Sequence, residues 1–544
     1  MRAWSSSPPI RKVRSMVMRG TVVAVVGAVV MASPVRAQSQ ADTPPPSVVR
    51  LTSSPSAVTA VAPALRPALL AEPEVTEPVS LPSPVAPVQQ QEEPWTDAWG
   101  QQKRFGLAAA EAYMSNFVPW MVNEYVPGRA ALLISQISPR SWARGISHGF
   151  GWDDNAFAVN MFAHPYQGNM YFNSGRSNGY NYWQSFLFAI AGSYHWECCG
   201  ETHLPSINDW FNTSIGGAAV GEMLYRTSSM VLDNTATGSE RAWREVGAFA
   251  LDPIRGATRL FTGNVARVYE NPENTADRIP ERMESFLAVG SRIVGENRIF
   301  EASEATAFVD LDLTYGSLAH LERQQPFDFF TLGVQLNVGD KTGLGRLQVR
   351  GNLFHKDLTT TDDVVSKLLL VQDFDYINTN AYEFGGQSIG GMYLRNARLT
   401  DRIDWTFQAY LSYMIMGAVD SEYSFAAEVP GLRERLREYD FGSGAGTRLG
   451  FALLRDGYRW IDVEYRAQYL NTLNGSNYNG EDAWHVIQDF RARLLVPFLD
   501  AWGIGVDTDI FVRNSYFDFE LFDDVSVRSP QFRIFATWNP QRRP

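Results

Sequence analysis

The positions of apolar and polar residues change period once along the chain, near residue 283. Beyond it the alternation is strict and two-residue. Leu347, Val349, Gly351 and Leu353 interleave with Arg346, Gln348, Arg350 and Asn352. Ile461, Val463, Tyr465, Ala467 and Tyr469 interleave with Asp462, Glu464, Arg466 and Gln468, and Ile504, Val506, Ile510 and Val512 with Gly505, Asp507, Asp509 and Arg513. Phe490, Ala492 and Leu494 do the same with Asp489, Arg491 and Arg493, and similar runs start near residues 286, 307, 329, 367, 383, 404, 443 and 527. A period of two puts all apolar side chains of a segment on one face of a strand. Many runs reach ten residues, longer than the roughly 5–6 of a soluble strand and matching the roughly 9–11 that cross a bilayer tilted.

Ahead of residue 283 the period is that of helices. Trp183, Phe186, Leu187, Ile190 and Tyr194 lie on one face of a helix over 182–197, with Asn181 as its cap. A second helix is expected over about 212–232, starting near Asn212 or Thr213 and containing Gly216, Gly217 and Gly221; shorter ones fit 106–124 and 238–250. Residues 38–94 hold 12 of the 29 prolines and show no periodic face, as in an extended linker. At the front, Arg11, Lys12, Arg14 and Arg19 precede an uncharged run, Thr21 to Ala32, and Val35-Arg36-Ala37 sets small residues where a signal peptidase cuts. The expected order is therefore signal peptide 1–37, Pro-rich linker 38–94, helical module 95–280 and strand region 283–540.

Alternation alone does not distinguish a soluble sandwich from a membrane barrel. Three features favour the barrel: the length of the strands, the rings at their ends (Trp405, Tyr413, Trp460, Tyr469 and Trp502), and a last strand, Phe532 to Trp538, that closes on aromatic residues. About 12 segments are countable, and an even number suits a single-chain bacterial barrel. The fold class expected is a membrane β-barrel of about 12 antiparallel strands preceded by a small, mainly α-helical module. In such a barrel Asp310, Asp312, Arg346, Arg350, Asp462, Glu464, Arg466, Arg491 and Arg493 face the lumen. The expected place is the outer membrane of a Gram-negative bacterium, with membrane lipid and a small solute as partners. Loss of segment 1–37, which holds six basic residues and no acidic one, takes the net charge from −12 to −18. That balance argues against nucleic acid, which needs a basic face. The only cysteines, Cys198 and Cys199, are neighbours and cannot staple distant segments.

The densest chemistry lies before the barrel: His164-Pro-Tyr-Gln-Gly-Asn-Met-Tyr171, Trp196-Glu197, Pro205-Ser-Ile-Asn-Asp209, and Gly216-Gly217 followed by Gly221-Glu222. Over about residues 145–265 these motifs resemble a bacterial family known only as a domain of unknown function, number 3943. The resemblance implies an outer-membrane setting and no particular activity. His195 and the cysteine pair are less typical of it.

Three readings of these residues compete. In the first, His164, Glu197, Asn208, Asp209 and Glu222 form a structural network of paired polar groups, with Asp209 or Asn212 capping the second helix. In the second, a membrane-embedded hydrolase of lipid or lipopolysaccharide uses His164 as base, Ser193 (or Ser185 or Ser206) as nucleophile and Glu197 or Glu201 as orienting acid. No Gly-x-Ser-x-Gly elbow accompanies it. In the third, His164, His195, Glu197, Glu201, His203 and Asp209 hold a metal, but no His-Glu-x-x-His spacing is present. The first is favoured, with no metal and no cofactor expected. The protein is then a non-enzymatic outer-membrane barrel, serving solute passage or envelope assembly and anchoring, with the helices as a cap or plug.

Overall fold

The structure, a computed structural model, describes residues 103–539 except 126–135, 154, 272–282, 296–304, 319–320, 322–324, 340–342, 422–436, 478–481, 500–501 and 521. The expected signal peptide and linker lie outside the described residues. Twelve strands form one closed antiparallel barrel: β1 (Met283–Val294), β2 (Thr306–Tyr315), β3 (Phe330–Val338), β4 (Leu344–Thr360), β5 (Val364–Asn378), β6 (Glu383–Thr400), β7 (Ile403–Asp420), β8 (Tyr439–Arg455), β9 (Tyr458–Thr472), β10 (Ala483–Pro497), β11 (Trp502–Phe517) and β12 (Val525–Trp538). Each pairs with its sequence neighbour, and β1 closes on β12 with Arg292 opposite Arg533. The change of period at Met283 is the start of the first strand. Asp456-Gly457 between β8 and β9 is a two-residue turn. Both residues have positive φ, 51° and 75°, as a two-residue hairpin turn requires.

Contacts across the barrel identify its inner face. Arg493 of β10 reaches Asp310 and Asp312 of β2, and Arg448 of β8 faces Asp375 of β5, though neither pair of strands is adjacent. Arg533 of β12 bonds Gln335 of β3 at 2.7 Å and Asp509 at 2.7 Å. The charged alternation therefore points inward, as its pattern predicts. This lattice fills the middle of the lumen. At the end where the β5–β6, β7–β8 and β9–β10 connections lie, Ile377, Phe384, Val419, Leu470, Ile487 and Phe511 converge in an apolar cluster. At the other end, beside the short turns after β4, β6 and β8, the lumen opens into a cavity of about 430 Å³.

The helices, among the described residues, are α1 (Phe105–Tyr125), α2 (Pro139–His148), α3 (His164–Arg176), α4 (Tyr182–His195), α5 (Ile207–Phe211), α6 (Gly217–Val231), α7 (Gly238–Leu251) and α8 (Pro253–Phe261). Asn181 caps α4 through a reciprocal bond with Gln184. The second predicted helix starts earlier than expected, as α5, and runs on through a π-helical turn, Asn212–Gly216, into α6. Neither Asp209 nor Asn212 caps it. Ser206 occupies the N-cap, with no hydrogen bond from the backbone of the first turn to its side chain.

The helices do not cap or plug the barrel; they pack on its outer wall. Gln372, whose neighbours Asp373 and Asp375 point inward, turns outward, accepts from the Tyr182 hydroxyl and donates to the Ile215 carbonyl at 2.9 Å. Phe157 packs on Tyr376 and Tyr439, and Trp152 stacks on Phe441, all on that outer face. Outward residues of β2–β5, among them Leu311, Leu313, Leu332, Val334, Val349 and Phe374, join the core of the module. The sequence pattern shows that a strand face must be covered, but not by what. Helix α6 is buried along its whole length. It crosses α3 where Gly168 meets Gly217, and a Cβ on either would run into the other helix's backbone.

Gly217→Leu is therefore expected to loosen the module by about 1–3 kcal/mol, the usual cost of overpacking, while the barrel survives. Limited proteolysis should cut residues 103–271 sooner, and the heat-modifiable gel shift of the barrel should remain. Equal loss of both would refute this independence.

Candidate functional site

Three π-helical turns, Val159–Ala163, Trp196–Gly200 and Asn212–Gly216, meet in one region of the module. Each inserts an extra residue per turn and re-aims the side chains beside it, a device frequent at functional sites. The first delivers His164, the second carries Glu197, the third Asn212 and Thr213. Pro165 follows in the first turn of α3.

His164 lies between α3 and the α5–α6 segment. Its Nε2 is 3.4 Å from Asp209 Oδ1, and its Nδ1 is 3.2 Å from the Thr213 hydroxyl. Asn208 donates to the same Asp209 oxygen at 2.7 Å and accepts from the Asp153 N–H at 2.9 Å. Asp153 receives Asn160, and Asn160 donates to the Tyr439 hydroxyl at 2.7 Å, so the chain of bonds ends on the barrel. Glu197 accepts the Ser206 N–H at 2.8 Å.

Burial sets the protonation of this group. It pushes Glu197 and Asp209 well above the ordinary carboxylate range, helped by neighbouring carboxylates, and raises Glu201 to about 8. Burial also pulls His164 down to about 4. Both shifts favour the neutral imidazole and the neutral carboxyl, which stand 3.4 Å apart. Both shifts run against the charged forms, which are costly away from water.

A second cluster lies toward the β2–β3 connection. Glu222 receives Arg176 at 2.7 Å and Arg226 at 2.9 Å, and Arg226 goes on to Asp328 at 3.1 Å and the Pro326 carbonyl at 2.8 Å. Arg176 and Arg255 sandwich the Tyr225 ring, with guanidinium carbons 4.2 and 4.1 Å from its centre. Arg259 is held by Glu245. Glu222, placed in one network with His164 by the sequence reading, belongs to this separate set. The arginines were missed there, although Glu222/Arg226 and Arg241/Glu245 stand at the i,i+4 spacing of helical ion pairs.

The hydrolase set is not assembled. His164 contacts Asp209 and Thr213, the Ser193 hydroxyl is buried and hydrogen-bonds no protein group, and Ser185 points to the Tyr180 carbonyl. Glu197 is engaged by Ser206, through its backbone rather than its hydroxyl. His195 bonds Asn116. Among the described residues no three His, Cys, Asp or Glu side chains converge as a metal set. Cys198 and Cys199 are bonded to each other.

The architecture is that of a closed antiparallel β-barrel carrying an external helical module. Residues 149–254 match the family described as Domain of unknown function (DUF3943), which bears out the resemblance of the motifs and takes in His164, Glu197, Asp209, Arg176, Glu222 and Arg226 but no strand of the barrel. Three solved barrels are similar to this chain. They are a NanC porin (8% identity, 46% of this chain and 98% of that one, TM-score 0.24), OccAB2 of Acinetobacter baumannii (9%, 48% and 99%, 0.20), and the outer membrane protein OprD from Pseudomonas aeruginosa (9%, 48% and 94%, 0.18). Scores of this size lend nothing to the functional reading. No curated protein matches.

Two outcomes are expected. Glu222→Ala leaves Arg176 and Arg226 buried without their carboxylate and should destabilise the module by about 3–5 kcal/mol, read as a lower melting temperature by near-UV circular dichroism. The second is a pH dependence. Between a free glutamate's 4.5 and about 8, folded Glu201 holds a proton that the unfolded chain has released, so stability falls as pH rises. His164 works in the opposite sense, but only between about 4 and 6.5. The module should therefore lose stability from pH 6.5 to 8, and Glu201→Gln should flatten that slope; an unchanged slope would remove Glu201 as its source.

Proposed function

We propose that this protein is an outer-membrane barrel whose role is anchoring or envelope assembly, with the barrel as a closed wall for a helical module immersed in the lipid beside it. The observation that carries this reading is the polarity of three of the module's helices, α1, α7 and α8, which turn large apolar side chains outward and polar ones inward. Helix α1 buries Glu111, Ser115 and Asn116 while exposing Phe105, Tyr113, Met114, Phe117, Val118 and Met121. Helix α8 buries Arg255 and Arg259 to 1% exposure and leaves Leu260 and Phe261 63% and 70% exposed. Helix α7 exposes Trp243, Val246 and Phe249. Water would penalise an apolar surface this continuous, whereas acyl chains accept it. None of these described helices is long and apolar enough to cross a membrane, so the barrel supplies the crossing.

The part of the wall that the module leaves bare matches. Val289, Leu411, Leu449, Leu494, Ile504 and Ile534 point outward and are exposed, and Tyr469 and the stacked Trp484–Tyr516 pair lie outward near one end of their strands, with Trp405 and Trp502 toward the other. Such rings sit at the two lipid–water boundaries. The chain enters and leaves the barrel at the end with short turns, which supports a periplasmic position for that end. The ion-pair lattice and the apolar cluster beyond it favour anchoring over passage of a solute.

A spin label on Val246→Cys, in protein reconstituted in lipid vesicles, tests the immersion. Dissolved oxygen should relax it more strongly than a water-soluble nickel chelate; the reverse order would put the module in water. In planar bilayers the protein should show no stepwise conductance, and steady steps would restore the passage reading. Release of fatty acid from phospholipid that His164→Ala abolishes would instead establish the hydrolase.

A further inference from the structure

The cavity in the periplasmic half of the lumen has a built chemical character that anchoring does not use. The register of the strands places its walls. Inward residues run side by side across β5 to β10 in two rows: Leu369, Met392, Tyr410, Arg448, Arg466 and Asp489 in one, and Leu394, Gln408, Gly450, Glu464 and Arg491 in the next. One side of the cavity is therefore apolar and the other carries guanidinium groups. Between them the Gln408 side chain packs over Gly450, where a Cβ would strike it.

The guanidinium side has more donors than the barrel's own acceptors use. Arg448 is 4% exposed, yet its Nε and Nη2 hydrogen-bond no protein group. Its nearest carboxylates, Asp375 and Glu464, are 3.7 and 4.0 Å away, too far for a hydrogen bond. Arg491 Nε is likewise buried without a protein partner, and its Nη2 stands 3.8 Å from Glu464. Arg346 Nε is a fourth such donor on the wall, against one buried acceptor, Asn396 Oδ1. Arg448 also lies directly opposite Arg466 across the β8–β9 ladder, a like-charge pairing that an added anion would relieve.

We propose that this vestibule is a receptor site for a small amphipathic carboxylate, its head on Arg448 and Arg491 and its apolar body on Leu369, Met392 and Leu394. A carboxylate offers two oxygens to two guanidinium groups, a pairing stronger than that of neutral partners. Glu464 lies beside both arginines, held by Gln408 at 3.2 Å, and sets the affinity by competing for them. The volume, about 430 Å³, falls within the roughly 300–1,000 Å³ of small-molecule sites. The site gives the small-solute partner a chemical class and requires the barrel alone; it stands whether or not the module anchors anything.

The test is fluorine NMR of 4-fluorophenylacetate with the full protein in a non-ionic detergent, beside 2-(4-fluorophenyl)ethanol as the uncharged control. The acid should bind saturably, at least tenfold more tightly than the alcohol. Arg448→Gln and Arg491→Gln should each weaken it about tenfold, and Leu394→Trp, which fills the apolar wall and keeps both arginines, should abolish it. Folding of each variant is verified by heat-modifiable mobility, and if Arg448→Gln does not fold, Arg491→Gln decides. The proposal is overturned if the acid shows no saturable binding, if acid and alcohol bind alike, or if the arginine variants bind as the parent does. Bilayer conductance and spin-label accessibility are untouched by any of these results, so failure here is separable from failure of the anchoring reading.

Discussion

Closure of β1 on β12 is the constraint on which the rest depends. Once twelve antiparallel strands form a ring, the sheet has no open edge, and each strand has one face inside and one outside. Charges on the inner face then have only each other. Asp310 is shared by Arg346, Arg493 and Arg533, which come from three different strands. Such a lattice is poor evidence of net stability, because desolvation offsets most of the attraction. Its effect is to specify the fold: a one-residue slip in β9, β10 or β11 would turn its charged row onto the outer wall.

The outer wall imposes the second requirement. An apolar strand face has to be covered, and this chain covers one arc with its own helices. That solution reverses the usual order inside the module. In the proposed lipid setting, a helix pressed between the apolar wall and acyl chains sends its polar side chains toward its neighbours, and they gather at the module's centre. The two clusters, one neutral around His164 and Asp209 and one ionic around Glu222, are what that gathering produces. Each also ties the helices to the barrel, through Tyr439 at one end and through Asp328 and the Pro326 carbonyl at the other.

Much of the barrel was legible in the sequence, because a period of two survives every detail of packing. The start at Met283, the count of strands and the inward side of each charged run follow from it. Less of the module was legible. Alternation at Leu347 and Val349 reads alike whether lipid or a helix lies against it, so the place of the helices was open. The π-helical turns break the 3.6-residue rhythm that places a helix face, so Thr213's place beside His164 and Asp209 was hidden and Asp209 passed for a cap. Glu222 was picked out through a motif. Its partners were within reach of the i,i+4 rule, and motif reading passed over them.

The chemistry of His164 follows from its surroundings rather than its identity. An imidazole between a carboxyl and a hydroxyl has the connectivity of a catalytic relay. A relay of that kind needs a carboxylate that stays charged, to stabilise the imidazolium as it forms. Here burial and neighbouring carboxylates hold Asp209 in its neutral form, and burial holds His164 in its own. A neutral carboxyl donates one hydrogen bond and accepts others, which suits a network that must close on itself without water. The same three side chains in a wetter pocket would be a base awaiting a substrate; enclosed by α3, α5 and the outer wall of the barrel, they hold helices together.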